Sequence, residues 1–204
     1  MIISHKHRFV FIKTRKTASS SIEVALSEVC GPDDIITEVP PEAHRDMAEP
    51  KWIAQNQRHN GVDIDPHCSG KWILENIPDV QDYVWFTVER HPHTKCLSNY
   101  HYQLGRLQLQ VAKQYNFNQF LDSDAVPLDI DLWCNDGVPI VEGIMRFEHI
   151  DADFKQLCGF LNITTQLPHI NKNYTDKYSE IDPLQKQKID KLFHNSNKFT
   201  GYGQ

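Results

Sequence analysis

Glycine is scarce and late in this chain: there are nine in 204 residues, and the first is Gly31. A Walker A loop needs glycines at both ends of G-x-x-x-x-G-K-[ST], so the N-terminal segment holds no standard ATP or GTP loop. Acid is missing there too, since no Asp or Glu precedes Glu23. The five cysteines, Cys30, Cys68, Cys96, Cys134 and Cys158, are odd in number and contain no C-x-x-C, which indicates neither a disulfide framework nor a zinc ribbon. Reduced thiols in a cytosol are the simpler expectation. No apolar run approaches the roughly 20 residues of a membrane span. Met1 to Ile12 is interrupted by His5, Lys6, His7 and Arg8, a pattern that fits no signal peptide, so the chain is expected to be cytoplasmic. Positive charge is not in excess either: the net charge of −6 argues against a nucleic-acid binder working by global charge. Among eleven histidines, the closest pairs (His5/His7 and His91/His93) lack the i, i+4 spacing of a helical zinc site, and no metal is expected.

What the N-terminal segment does have is basic and rich in hydroxyls. Arg8-Phe-Val-Phe-Ile-Lys13 reads as a buried strand and runs into Thr14-Arg-Lys-Thr-Ala-Ser-Ser-Ser21, followed by a helical pattern of Ile22, Ala25, Leu26 and Val29. A strand that ends in such a loop and opens a helix suits a multiply charged anion. The helix N-terminus offers unpaired N–H groups and partial positive charge, and Arg15 and Lys16 add full charges. A second reading stands beside it: Ser20-Ser-Ile-Glu23 has the form of a capping box, in which Ser20 and Glu23 serve only their own helix.

Strand and helix patterns alternate along the chain. They predict one domain over residues 1–204, of α/β class, with a central, mainly parallel sheet flanked by helices. Asp34 to Val39 reads as a short strand, and residues 42 to 66 as helix plus loop lining an acceptor cleft. His67 to Ile77 reads as a loop leading into a helix, and Tyr83-Val-Trp-Phe-Thr-Val88 as a central strand. Pro92 starts a helix reaching about Leu109. A short helix follows at Phe117 to Leu121, a strand at Gly143 to Phe147, a helix capped by Asp151, and a last helix from Asp182-Pro183. Ligands of an open parallel sheet sit beyond the carboxyl ends of its strands. Arg90, just after the Tyr83 strand, is therefore expected near the first loop as a second anion site, unless it pairs with Glu89 or another carboxylate.

The two sites together resemble the sulfotransferases that use 3′-phosphoadenosine 5′-phosphosulfate (PAPS), particularly their carbohydrate-directed branch. Arg15-Lys-Thr-Ala-Ser-Ser-Ser21 is similar to the family's 5′-phosphosulfate loop, with Arg15 in the proline position. Phe86-Thr-Val-Glu-Arg-His-Pro-His-Thr-Lys-Cys-Leu-Ser-Asn-Tyr100 is similar to its Val-Arg-Asn-Pro-x-x-Arg-x-x-Ser-x-Tyr segment, with Lys95 where arginine is common. Weaker matches lie at Met145-Arg-Phe-Glu-His-Ile150, Leu167-Pro-His-Ile-Asn-Lys172 and Phe199-Thr-Gly-Tyr202.

The resemblance implies a P-loop-like sulfotransferase fold and transfer of a sulfuryl group from PAPS to a hydroxyl or amine of a carbohydrate or other small metabolite. The product would be 3′,5′-adenosine bisphosphate, and no metal is implied. Arg15, Lys16, Thr17, Ala18, Ser19, Ser20 and Ser21 would hold the 5′-phosphosulfate and Arg90 and Ser98 the 3′-phosphate; the weaker match would add Lys172, which reads equally as a solvated lysine. Lys16 would stabilise the leaving group. His67 is the first candidate for the base, with His44, His59 and Glu42 in reserve. Trp52 and Trp133 offer either sugar platforms or core packing. Two other functions stay open: a nucleotide-binding module without transfer activity, and a kinase-like P-loop enzyme disfavoured by the absent glycines. The expected partners are a nucleotide donor and an unidentified acceptor, and the sequence says nothing of oligomeric state.

Overall fold

Alternation along short apolar runs builds the centre of the molecule. The computed structural model describes residues 1–38, 54–106, 115–168 and 181–202. Strand β1 (Ile2–Ser4) turns back into β2 (Phe9–Ile12), where Phe9 and Phe11 enter one apolar cluster and Val10 and Ile12 another. A strand buried on both faces belongs inside a sheet. After α1 (Ser19–Ser27) come β3 (Ile35–Ile36), a small hairpin of β4 (Arg58–His59) and β5 (Val62–Asp63), and α2 (Gly70–Asn76). Next follow β6 (Val84–Glu89), α3 (Pro92–Arg106), α4 (Phe117–Leu121), α5 (Ile130–Trp133), and a second small hairpin of β7 (Cys134–Asn135) and β8 (Val138–Pro139). The chain then forms β9 (Gly143–Arg146), α6 (Ile150–Phe160), α7 (Pro183–Leu192) and α8 (His194–Thr200).

The main sheet runs β3-β1-β2-β6-β9. Its core, β2-β6-β9, is parallel, and β1 joins β2 and β3 by antiparallel pairing. The protein is thus an α/β fold around a mixed sheet with a parallel core. One face packs Phe9, Phe11, Phe86 and Val88 against Ile22 and Leu26 of α1 and Phe154 of α6. The Phe86 ring lies 5.6 Å from Phe9 and 5.5 Å from Phe11. Burying each such side chain contributes about 1.5–3 kcal/mol. The other face packs Val10, Ile12 and Trp85 against Ile73 of α2 and Trp133 of α5. In α2, glycine is required at Gly70: an added Cβ would lie 2.1 Å from Ile140 and 2.9 Å from Ile12.

Some sequence expectations need correction. Ile2–Ser4 is a strand that the sequence reading passed over. The strand at Ile35–Ile36 is shorter than expected, and the stretch from 54 to 66 holds the β4–β5 hairpin. Asp151 lies in the first turn of α6 rather than capping it, because His149 occupies the cap. Asp182 does cap α7, in a reciprocal pair with Gln185, but a further helix, α8, follows. The expected end of α3 at Leu109 lies outside the described residues. No helix among the described residues is long and apolar enough to cross a membrane.

Candidate anion site

Because β2, β6 and β9 are parallel, their carboxyl ends share one edge, and three segments meet there: Lys13–Ala18, Arg90–His91 and Phe147–His149. The first loop is held from within. The Thr14 hydroxyl donates to the Val88 carbonyl, and Ser19 Oγ donates to the Thr14 carbonyl at 2.8 Å. Thr17 Oγ1 reaches the same carbonyl at 3.2 Å. The hydroxyls of Thr17 and Ser19, expected to face a ligand, are thus engaged inside the loop, and Ser21 is buried. What Thr17, Ala18 and Ser19 present is backbone N–H.

Lys16 and Ala18 both have φ of 63°, the left-handed region that L residues rarely enter. Such strain costs on the order of 1–3 kcal/mol per residue and concentrates at ligand sites. Left-handed residues alternating with an ordinary one form the backbone pattern of an anion-binding nest. Helix α1 starts from Ala18 with no side-chain cap, and its first internal bonds run from the Ser21 and Ile22 N–H groups to the Ala18 carbonyl. Among the described residues, no acceptor pairs with the N–H groups of Lys16 through Ser20.

The capping-box reading fails for a specific reason. Glu23 is fully buried, and its carboxylate takes Lys13 Nζ at 2.5 Å and the Met1 amino group. It cannot also reach back over the helix start. The absence of acid near the loop holds only along the sequence. Asp129, from the segment before α5, accepts from the Arg15 N–H at 2.8 Å and from Arg15 Nε at 2.6 Å, and also binds Lys95 Nζ at 2.8 Å. Burial would raise the Asp129 pKa, but Lys95 and Arg15 outweigh it and hold the carboxyl below its ordinary value. Arg15 is therefore a tether of the loop, although its side chain stays 40% exposed.

Arg90 does lie beside the loop. Its Nη1 donates to the Lys16 carbonyl at 3.3 Å, its Nε donates to Thr94 Oγ1 at 3.0 Å, and its guanidinium stacks 4.1 Å over the Phe147 ring. Glu89 turns inward, taking Lys95 Nζ at 2.7 Å and Trp133 Nε1 at 3.0 Å. Lys95 is consequently no surface cation. Burial would lower its pKa, yet Glu89 and Asp129 more than offset this and raise it. Its match to a family arginine does not carry charge to this surface. Trp133 is likewise a core residue, fully buried.

Ser98 is half-buried on α3, one turn beyond Thr94 and one turn before Tyr102, so the three share a face. Lys16 Nζ lies 4.1 Å from the centroid of the Tyr102 ring. Burial, and then the neighbouring Arg90 charge, lower the Lys16 pKa to about 8. A cavity of about 240 Å³ lined by Glu89, Asp129, Asp131, Leu128, Leu192 and Phe193 offers carboxylates instead and suits no anion.

His67 comes to the same edge from the approach to α2. Its Nδ1 lies 3.0 Å from the Lys13 carbonyl. A carbonyl only accepts, so Nδ1 carries the proton and Nε2 is left as a base. Burial lowers the His67 pKa, which keeps the ring neutral at pH 7. Capping of α2 falls to Ser69, which accepts from the Trp72 N–H, and not to His67. His59 packs edge-on against Trp72 at 5.8 Å. Glu42, His44, Trp52 and Lys172 lie outside the described residues.

No family model matches the chain, and no curated protein matches it. Among solved structures, it is similar to a sulfotransferase from Alicyclobacillus acidocaldarius at 17% identity, covering 92% of this chain and 95% of that one, with a TM-score of 0.38. A likeness that distant says nothing of the site.

Four residues of the site were missed in the sequence: Thr94, Tyr102, Phe147 and Asp129. Thr94 and Tyr102 had a signal, being four residues either side of Ser98 on one helix. Phe147 is the last residue of the strand predicted at the same edge, and follows directly on β9. Asp129 had none.

Proposed function

We propose that this chain is a PAPS-dependent sulfotransferase acting on a hydroxyl or amine of a carbohydrate or other small metabolite. The observation that carries the reading is the convergence of Lys16 and Arg90. Two cations from separate parallel strands flank an uncapped helix N-terminus, with the Arg90 guanidinium 3.3 Å from the Lys16 carbonyl. A ligand with two separate phosphate groups fits that charge distribution better than one with a single chain of phosphates. The sequence resemblance of both segments supports the same donor.

In this reading the N–H groups of Lys16 to Ser20 hold the 5′-phosphosulfate, and Arg90 with Ser98 holds the 3′-phosphate. The acceptor oxygen or nitrogen attacks sulfur, and its proton passes to His67 Nε2. The bond from sulfur to the bridging oxygen breaks, and the electron pair stays on the 5′-phosphate, where Lys16 offsets the developing charge. A sulfuryl group carries less charge than a phosphoryl group, so a lysine and backbone dipoles suffice for the stabilisation. A cytosolic location is part of the proposal, supported by five unpaired thiols.

Thermal shift tests the donor. 3′,5′-Adenosine bisphosphate should raise the melting temperature far more than ATP with magnesium. Equal or larger shifts with ATP would overturn the assignment. Turnover of PAPS across an acceptor panel then separates an enzyme from a binding module.

A further inference from the structure

Lys16 is the cation on which the proposed chemistry turns, and its surroundings disfavour its charge. It is half-buried beside Arg90, and among the described residues no carboxylate offsets either effect. The favourable partner the geometry provides is aromatic. Tyr102 on α3, 37% exposed, presents its ring 4.1 Å from Lys16 Nζ. The ring is itself held: Arg106, one turn further along α3, donates from Nη1 to the Tyr102 hydroxyl at 2.6 Å and sits with its guanidinium carbon 5.4 Å from the ring centroid. Among the described residues, the charged and titratable groups facing Lys16 are Arg90 and Tyr102, with Arg106 on the same ring.

We infer that Tyr102 is a positioning residue: its ring face keeps Lys16 charged and lays its ammonium along the Thr94–Ser98–Tyr102 face of α3, next to Arg90. The inference deepens the proposed function and rests on it for the use made of Lys16. The physical basis is the attraction of an ammonium to the negative face of an aromatic ring, which strengthens as water is excluded. A leucine in place of Tyr102 keeps apolar bulk over Lys16 and removes that attraction. A phenylalanine keeps the ring and removes only the bond to Arg106. The two substitutions therefore separate the ring from the hydroxyl.

The experiment reads Lys16 directly. The ligand-free protein is pulse-labelled with acetic anhydride across pH 6.5–11, and the Lys16 peptide is quantified by mass spectrometry. In the wild type, labelling should rise with a midpoint near pH 8. In Tyr102→Leu the midpoint should fall by about half to one and a half pH units, while Tyr102→Phe should stay at the wild-type value. Circular dichroism checks folding, and Tyr102→Met replaces the leucine variant if that does not fold. An unchanged or raised midpoint in the ringless variants overturns the inference, as does an equal fall in Tyr102→Phe.

A second arm measures 3′,5′-adenosine bisphosphate affinity against pH, whose falling limb should move with the labelling midpoint. Protein that labels as expected but binds no bisphosphate refutes the proposed donor and leaves the role of Tyr102 standing. Protein that binds bisphosphate with a labelling midpoint indifferent to the ring refutes the role of Tyr102 alone.

Discussion

The low Lys16 pKa predicts an unusual pH dependence for anion binding, and its size can be worked out. With a pKa of about 8, Lys16 is about nine-tenths charged at pH 7 and about one-tenth charged at pH 9. If the bisphosphate binds the charged form, its affinity should fall by about tenfold over those two pH units. An ordinary lysine, titrating near 10.5, would leave the affinity flat there. The ligand confounds the test little, since the second phosphate ionisation, near pH 6, is about nine-tenths complete by pH 7 and any remaining ionisation would strengthen binding as pH rises. Isothermal titration calorimetry at pH 7, 8 and 9 in buffers of different ionisation enthalpy gives both the affinity and the proton uptake. Lys16→Arg should bind with a flat profile, and Lys16→Met should bind weakly with a flat profile. The sign for stability runs the other way. Between about pH 8 and 10.5 the unfolded chain keeps the Lys16 proton that the native state has lost, so the contribution of this group to the stability of ligand-free protein rises with pH. A wild-type affinity that is flat from pH 7 to 9, or a fall that persists in Lys16→Arg, would refute the reasoning.

Arg90→Ala should weaken the bisphosphate by about ten- to a hundred-fold, the worth of a charge-assisted hydrogen bond, while 5′-AMP loses little; equal losses in calorimetry would make Arg90 structural. His67→Ala should lower kcat by roughly 10²–10⁴-fold with bisphosphate affinity unchanged. Because burial holds the His67 pKa below its ordinary value, the acid limb of the wild-type rate should lie below about pH 6.5, and that limb should vanish in the variant. Asp129→Asn should lower stability to urea by about 3–5 kcal/mol, since it leaves Lys95 and Arg15 short of a buried partner.

Much of the fold was legible because it rests on local patterns. Val84–Glu89 is almost wholly apolar and β-branched or aromatic, Pro92 starts α3, and Asp182 caps α7, all features carried within a few residues. β1 was not legible. Three residues are too few for periodicity to speak, and Ile2–Ser4 is a strand because β2 and β3 pair with it on both sides. The Ser20–Glu23 pattern misled for the converse reason. Its local capping geometry lost to a buried carboxylate that serves Lys13 and Met1. The engaged hydroxyls of Thr17 and Ser19 were invisible too, because which way a loop hydroxyl turns depends on the carbonyl that the fold places beside it.

The candidate site was half legible, and the line between the halves is drawn by charge. Sequence alone shows five cations at this edge, Lys13, Arg15, Lys16, Arg90 and Lys95, without distinguishing them. The fold sorts them by supplying three buried carboxylates. Glu23 takes Lys13, Glu89 and Asp129 take Lys95, and Asp129 also takes Arg15. Those pairs hold the loop, α1, β6 and the start of α3 together, and removing one member of such a pair would strand its partner's charge in the core. Lys16 and Arg90 receive a carbonyl, a hydroxyl and aromatic rings from the described residues. Rings and neutral oxygens hold a cation in place without cancelling its charge. The cations held by buried carboxylates therefore fix the geometry, and Lys16 and Arg90 stand at the ends of β2 and β6, where the proposed anion would sit.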